Sequence, residues 1–238
     1  ALLPVPTTIL RGFIKSLTTG FVSQHIGSNS KKEIILLLSH LLLISGFISL
    51  LIIIFREQII MLSLDFMNAS NEVLLHSKIY LEYRIWSIPA IFLRDIIIGY
   101  YIGTQNIKAA IVVSITVNLL NIILDYYFIY ILHYSIEGVA IASLISEYSV
   151  IIFALYAIRS EGIFKNINIK IGEIFNWIMI KKKILINIDM FIRSFILMTV
   201  FIYFMRTGAS YGDSVLAANT ILLNFFFLFS YGIDGFAH

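Results

Sequence analysis

Ile34-Ile35-Leu36-Leu37-Leu38-Ser39-His40-Leu41-Leu42-Leu43-Ile44-Ser45-Gly46-Phe47-Ile48-Ser49-Leu50-Leu51-Ile52-Ile53-Ile54-Phe55 is almost continuously apolar over a length that decides the fold. At about 1.5 Å per residue, such a run crosses the roughly 30 Å hydrocarbon layer of a bilayer as a helix. A membrane-spanning β-barrel needs short segments that alternate apolar and polar residues, and this run does not alternate. The whole chain agrees, being 59% hydrophobic and 13% charged. A soluble domain carries about a quarter charged residues, so the composition points to the lipid bilayer as solvent. The chain reads as an all-α polytopic membrane protein.

Working outward from that run, six further spans are expected, at Pro4–Ser23, Ile85–Gly103, Ala109–Leu132, Gly138–Ile158, Met190–Thr207 and Val215–Ala237. Gly27-Ser28-Asn29-Ser30, Gly103-Thr104-Gln105-Asn106 and Gly208–Gly212 punctuate them. Alternate connectors sort by positive charge. Lys31, Lys32, Lys108, Arg159, Lys165, Lys170, Lys181, Lys182 and Lys183 fall on one side, and Arg56, Lys78, Arg84 and Arg206 on the other. The first set marks the cytoplasmic face. The long connector Arg159–Ile188 mixes Phe164, Ile174, Phe175, Trp177, Ile178 and Met179 with Lys181–Lys183, the pattern of an interfacial helix lying on lipid.

Several function classes drop out. Cysteine is absent, removing disulfides and thiolate metal sites. The net charge of +3 comes from scattered basic residues, so no nucleic-acid partner is expected. The five histidines lack metal-ligand spacing, and neither a phosphate-cradling loop nor a nucleophile with its base occurs, so no enzyme and no cofactor are expected. No signal-peptide pattern is present at Ala1–Gly20, and the chain begins without Met, as a piece of a longer protein does.

Polar residues inside spans carry what functional signal there is. A charge at membrane depth costs roughly 2.5–3.5 kcal/mol on insertion scales, so those that persist face a cavity or a partner. Ser114, Asn118, Asn121 and Asp125 stand at i, i+4, i+7 and i+11, on one helix face. Asp125 lies about 24 Å from the inner end of its span, in the outer half of the membrane. A carboxylate beside amide oxygens suits a proton or a small hard cation such as Na⁺; an interhelical hydrogen-bond seam is the plainer alternative. In the next span Ser143 and Glu147 are i, i+4, behind the small residues Gly138, Ala140 and Ala142, and close helix approach would bring Ser143 to the stripe. Arg94 and Asp95, as sequence neighbours, point about 100° apart and do not easily neutralise each other. Arg94 can reach Asp125 or Glu147 from another helix, as a structural ion pair or as part of a cavity. Asp189 and Arg193 read as an intrahelical pair. Asn219 is polar in an aromatic span, and Asp234 reads as a cap or gate residue near that span's inner end.

These landmarks resemble a known pattern. Leu17-Thr18-Thr19-Gly20-Phe21-Val22-Ser23-Gln24 with Gly27 resembles the end of the second span of DinF-like exporters of the multidrug and toxic compound extrusion (MATE) family. Tyr80-Leu81-Glu82-Tyr83-Arg84 with Ile88-Pro89-Ala90, Gly99 and Gly103 resembles their fourth span. Asn118, Asn121, Leu124 and Asp125, then Gly138-Val139-Ala140 and Glu147-Tyr148, resemble the fifth and sixth. Ala217-Ala218-Asn219 leading to Asp234-Gly235-Phe236-Ala237 resembles the eighth. Thr19-Gly20-Phe21-Val22 also overlays Asp234-Gly235-Phe236-Ala237 at an offset of 215 residues, a trace of a lobe repeat.

The resemblance implies about seven of twelve transmembrane helices in a two-lobe bundle. Residues 1–158 would be most of the N-terminal lobe, 159–188 a cytoplasmic interfacial linker and 189–238 the start of the C-terminal lobe. It implies an H⁺- or Na⁺-coupled antiporter in a bacterial-type inner (plasma) membrane. That protein would be monomeric at full length and export organic cations or other amphiphiles by alternating access. Asp125, Asn121, Asn118 and Ser143 would form the coupling site, with Ser143 standing where the family commonly has Thr. Arg94, Glu147, Asn219 and Asp234 would be cavity or gating residues. Arg94 stands where a polar uncharged residue is expected, which would weaken cation binding there. Arg94 is also the cue for a lipid-linked-precursor flippase of the same superfamily. A non-transport seven-helix protein is the other reading, although its retinal form needs a Lys that Val215–Ala237 lacks.

Overall fold

A computed structural model describes residues 4–28, 30–67, 69–160, 170–178, 181, 185 and 188–237, and among them there are helices and no strands. In chain order the helices are α1 (Pro4–Gly27), α2 (Lys31–Ile54), α3 (Arg56–Met67), α4 (Asn71–Arg84), α5 (Ile88–Gly103), α6 (Ile107–Tyr126), α7 (Ile136–Tyr148), α8 (Val150–Ser160), α9 (Ile171–Ile174), α10 (Ile188–Ser210) and α11 (Asp213–Ala237).

Six stretches are long and apolar enough to cross a membrane: Lys31–Ile54, Asn71–Gly103, Ile107–Ile131, Ile136–Tyr156, Phe191–Ser210 and Asp213–Ser230. The expected first span is a helix too, but it is not one of these six. It carries Arg11, Lys15 and paired threonines: Arg11 is half-buried and ion-paired with Asp95, Thr18 is buried in the bundle, and Lys15 is exposed. Ile14, Leu17, Thr18 and Val22 of α1 are all buried, chiefly against α5 and α2.

That packing is close because Gly99 and Gly103 are one turn apart on α5. A Cβ on Gly99 would lie 2.7 Å from Thr18 Cβ and 2.8 Å from the Lys15 carbonyl oxygen; one on Gly103 would lie 2.7 Å from Val22 Cβ. Small residues at such a face let two backbones approach where lipid supplies no hydrophobic drive. Ile34, Leu37 and Leu41 of α2 with Ile88, Phe92 and Ile96 of α5 complete this core. A second cluster joins Ile97, Ile98 and Tyr101 of α5 to Ala110 and Val113 of α6 and Val150 of α8.

The span expected to begin at Ile85 is longer. Helix starts at Asn71, where the Ser70 hydroxyl accepts from the Val73 N–H, and runs to Gly103 through one tighter turn at Ile85–Ser87. Pro89 does not stop it, because it sits in the first turn of α5, where an N–H is dispensable. Arg84, expected in a connector, is therefore inside a continuous rod.

The next span winds as α6 to Tyr126, then widens into a π turn over Tyr127–Ile131, with the Leu132 N–H bonded to the Tyr127 carbonyl at 3.1 Å. Gly138 serves this turn more than a helix-on-helix approach: a Cβ there would lie 2.8 Å from Tyr134 Cβ and 3.0 Å from Phe128 Cβ. α7 is thereby returned against both α6 and α4.

Candidate functional site

The polar stripe on α6 is divided by its surroundings. The Ser114 hydroxyl donates to the Ala110 carbonyl of its own helix at 3.0 Å. Asn118 is exposed and makes no hydrogen bond among the described residues. Asn121 is half-buried, and its Nδ2 donates to Ser143 Oγ on α7 at 3.3 Å. Asp125, one turn further, is half-buried; its Oδ1 is shielded from solvent and has no hydrogen-bond partner among the described residues. By helix rise it lies about 27 Å from the start of α6, next to the π turn. Turns of that kind gather at functional sites because they re-aim the side chains around them. The structure thus brings Asn121 and Ser143 together, places Asp125 beside them, and leaves Asn118 apart.

The second feature is a ladder of charges in the bundle interior. Glu147, 4% exposed, lies one turn from Ser143 on α7. Arg94 Nη1 on α5 is 2.8 Å from its Oε1 and 2.7 Å from its Oε2, and Arg84 Nη2 on α4 is 3.3 Å from Oε1. Arg84 is itself held by donating from Nη1 to the Ser87 hydroxyl at 2.8 Å. Asp95 takes a different partner: Arg11 Nε of α1 donates to its Oδ2 at 2.8 Å, while Arg94 Nε stays 4.0 Å from Oδ1. Of the two partners the sequence offered for Arg94, the structure chooses Glu147. The divergence of neighbouring side chains on α5 sends Arg94 to α7 and Asp95 to α1.

Arg11 and Arg84 are the residues sequence reasoning missed. Arg11 had a usable signal, as one of two cations in a helix otherwise able to cross the membrane. Arg84 had one in the Tyr80–Arg84 stretch that resembles the fourth span, although charge sorting placed it in a connector. Together the ladder sets three guanidiniums against two carboxylates. It also fixes the rotation of α7, since Ser143 and Glu147 share a face that must meet α6 at one turn and α4 and α5 at the next.

The remaining sequence candidates lie elsewhere. Asn219 of α11 packs its amide over Gly208 of α10, inside the last helical hairpin. The Asp234 side chain lies outside the described residues. Asp189 and Arg193 are both exposed on α10, and no ion pair joins them.

The MatE family model matches residues 8–127, just over half of the chain, a stretch that carries Arg11, Arg94 and Asp125. "DNA damage-inducible protein F" of Escherichia coli (strain K12) is 28% identical over 229 residues, covering 95% of this chain and 49% of that protein. The chain therefore spans about half the length of this curated relative. Among solved structures, one described as the "Inward-facing conformation of a multidrug resistance MATE family transporter of the MOP superfamily" superposes with a TM-score of 0.75. It is 20% identical, over 91% of this chain and 50% of that one. Another, of a MOP superfamily transporter from Pyrococcus furiosus Vc1 (DSM3638) described by the "reverse polarity" of its binding pocket, reaches 0.76 at 20% identity, over 95% and 50%. At that identity the two structures establish a shared fold. The family match, the near-complete alignment to the bacterial relative and the common helical bundle agree, and this multi-pass membrane protein belongs to the MatE family of membrane transporters.

Proposed function

We propose that the full-length protein is an inner-membrane antiporter that exports organic cations or other amphiphilic compounds by alternating access, driven by H⁺ or Na⁺, and that Asp125 is the carboxylate that takes the coupling ion. The observation that carries this reading is the orphaned Asp125 Oδ1, shielded beside the Asn121–Ser143 pair. A carboxylate at membrane depth is retained at a cost of several kcal/mol unless something exploits it. Proton binding would neutralise it, and a hard cation would satisfy it with carboxylate, amide and hydroxyl oxygens, as such ions prefer. Glu147 is not available for the task, because Arg94 and Arg84 already engage its carboxylate.

The test is efflux of a fluorescent organic cation from vesicles under imposed H⁺ and Na⁺ gradients, comparing Asp125→Asn with wild type at matched expression. Gradient-driven efflux should be lost with the protein still folded, and the gradient that mattered identifies the ion. Unchanged efflux would reduce Asp125 to a packing residue.

A second reading has one observation in its favour. The excess of guanidinium over carboxylate in the ladder suits an anionic substrate such as a lipid-linked precursor. Export of an anionic amphiphile in place of the cation, lost in Arg94→Gln, would select that reading.

A further inference from the structure

The segment Lys170–Ile178 is tied to the bundle through Glu173. Lys32 Nζ, in the first turn of α2, donates to Glu173 Oε1 at 2.7 Å, and the Lys170 N–H donates to Glu173 Oε2 at 3.3 Å. The Glu173 carbonyl oxygen lies 3.1 Å from Nε2 of His40, a buried residue two turns further along α2. These bonds hold the segment at the end of α2 that carries Lys31 and Lys32.

Immediately beyond that anchor, Phe175, Trp177 and Ile178 are 67%, 69% and 79% exposed. Two local bonds shape this stretch: the Asn176 N–H donates to the Glu173 carbonyl at 3.4 Å and the Ile178 N–H to Asn176 Oδ1 at 3.1 Å. The three side chains are therefore exposed on a strap whose anchor is Glu173. Lys170 and Lys181 flank them, both exposed, and Lys182 and Lys183 follow in the sequence. Glu173 is the one acid between Lys170 and Leu185, and Lys32 already engages it.

We infer that the strap Lys170–Ile178 docks on an anionic phospholipid surface. Phe175, Trp177 and Ile178 enter the boundary between headgroups and acyl chains, while Lys170 and Lys181 meet lipid phosphates. Each half of this surface selects the same occupant. Indole and other aromatic rings partition to the headgroup level, where an apolar body and a polar edge are both served. Clustered lysines at a membrane surface are drawn to anionic lipid. An aqueous protein partner would account for the apolar triad but not for uncompensated lysines set at the end of spanning helices. Because Glu173 couples the strap to α2 through Lys32 and His40, lipid docking also ties the end of α2 to the membrane surface.

The experiment uses the full-length protein in a cysteine-free background, with a nitroxide on Ile178→Cys and, as a reference, on His133→Cys in the opposite connector. It is reconstituted in nanodiscs of phosphatidylcholine with and without phosphatidylglycerol. Collision rates with oxygen and with a water-soluble nickel chelate report depth. The Ile178 label should be several-fold more shielded from nickel when phosphatidylglycerol is present. Changing Lys170 and Lys181 to Gln should return it toward the level of phosphatidylcholine alone, with the His133 label unmoved. Nickel access that is high in both lipids would overturn the proposal by placing the strap in water. Shielding that ignores both lipid charge and the lysine substitutions would overturn it by showing that protein covers the strap.

Discussion

Arg94 and Glu147 meet across the α5–α7 interface at 2.7–2.8 Å, and the carboxylate they share with Arg84 sits one turn from the Ser143 hydroxyl that accepts from Asn121. One short helix thus serves two purposes on one face. Its ion pair sets the rotation of α7, and that rotation determines what Asn121 and Asp125 of α6 find opposite them. A buried ion pair is poor evidence of stability, because desolvation offsets its attraction. Removing one partner is a different matter, since the other charge is then stranded.

Glu147→Gln should accordingly lower stability by about 3–5 kcal/mol, the range for a buried charge left without its partner. Arg84→Gln should cost far less, because Arg94 keeps the carboxylate paired. Apparent thermal midpoints of the purified proteins in detergent separate the two. Equal losses would mean that the network does not centre on Glu147.

Glycine packing offers an independent check on the α1–α5 contact. Gly99→Ala places a methyl 2.7 Å from Thr18 Cβ and 2.8 Å from a backbone oxygen, and neither can swing aside, so a loss of about 1–3 kcal/mol is expected from overpacking. Gly46→Ala in α2 meets nothing within 4 Å. There the change should be neutral or stabilising by up to about 1 kcal/mol, the helix-propensity difference. If thermal midpoints move alike in both variants, α1 and α5 are not in the contact described.

Much of this was legible from residue types and spacing, and the exceptions have physical causes. The run Ile34–Phe55 announces a span because lipid demands an apolar surface, and α2 is one. α1 is less apolar because its neighbours replace lipid, a substitution no single segment reveals. The i, i+4 spacing of Ser143 and Glu147 was readable, as was the divergence of Arg94 and Asp95. Which helix supplies each partner was not, since that depends on tertiary packing, and so Arg11 went unnoticed. Asn118 and Asn121 are the same residue type on nearly the same face, yet only Asn121 finds α7. The π turn at Tyr127–Ile131 has an ordinary helical composition and left no mark in the sequence.

The Asn121–Ser143 bond makes a prediction that the stripe alone could not. Ser143→Ala removes the acceptor and leaves a half-buried amide unpaired, a cost of about 1–3 kcal/mol at a site that must order around an ion. The concentration of coupling ion giving half-maximal efflux should rise several-fold. Ser143→Thr keeps the hydroxyl and should stay near wild type, and Asn118→Ala should too, because Asn118 is exposed. An effect of Asn118→Ala as large as that of Ser143→Ala would place the site elsewhere on α6.

Acid should release the strap from α2. The Lys32 ammonium, hydrogen-bonded to Glu173, holds that carboxyl below its ordinary pKa, with the Lys170 N–H adding to the effect. A carboxyl whose pKa is depressed when docked favours docking in its ionised form. Its contribution is therefore complete above the ordinary carboxylate pKa and is lost as pH falls through the lower, docked value. His40 Nε2 faces the Glu173 carbonyl at the same contact, so a variant must separate the backbone contact from the ion pair. Spin labels on Ser28→Cys and Gly172→Cys, read by pulsed dipolar spectroscopy across an acid titration, should show a constant distance at neutral pH and a longer one in acid. Lys32→Gln removes the largest cause of the shift and should move the release to higher pH, while Glu173→Gln should abolish the carboxylate-dependent step. If the step survives in Glu173→Gln, the strap is held by its backbone contact to His40 instead of by its ion pair.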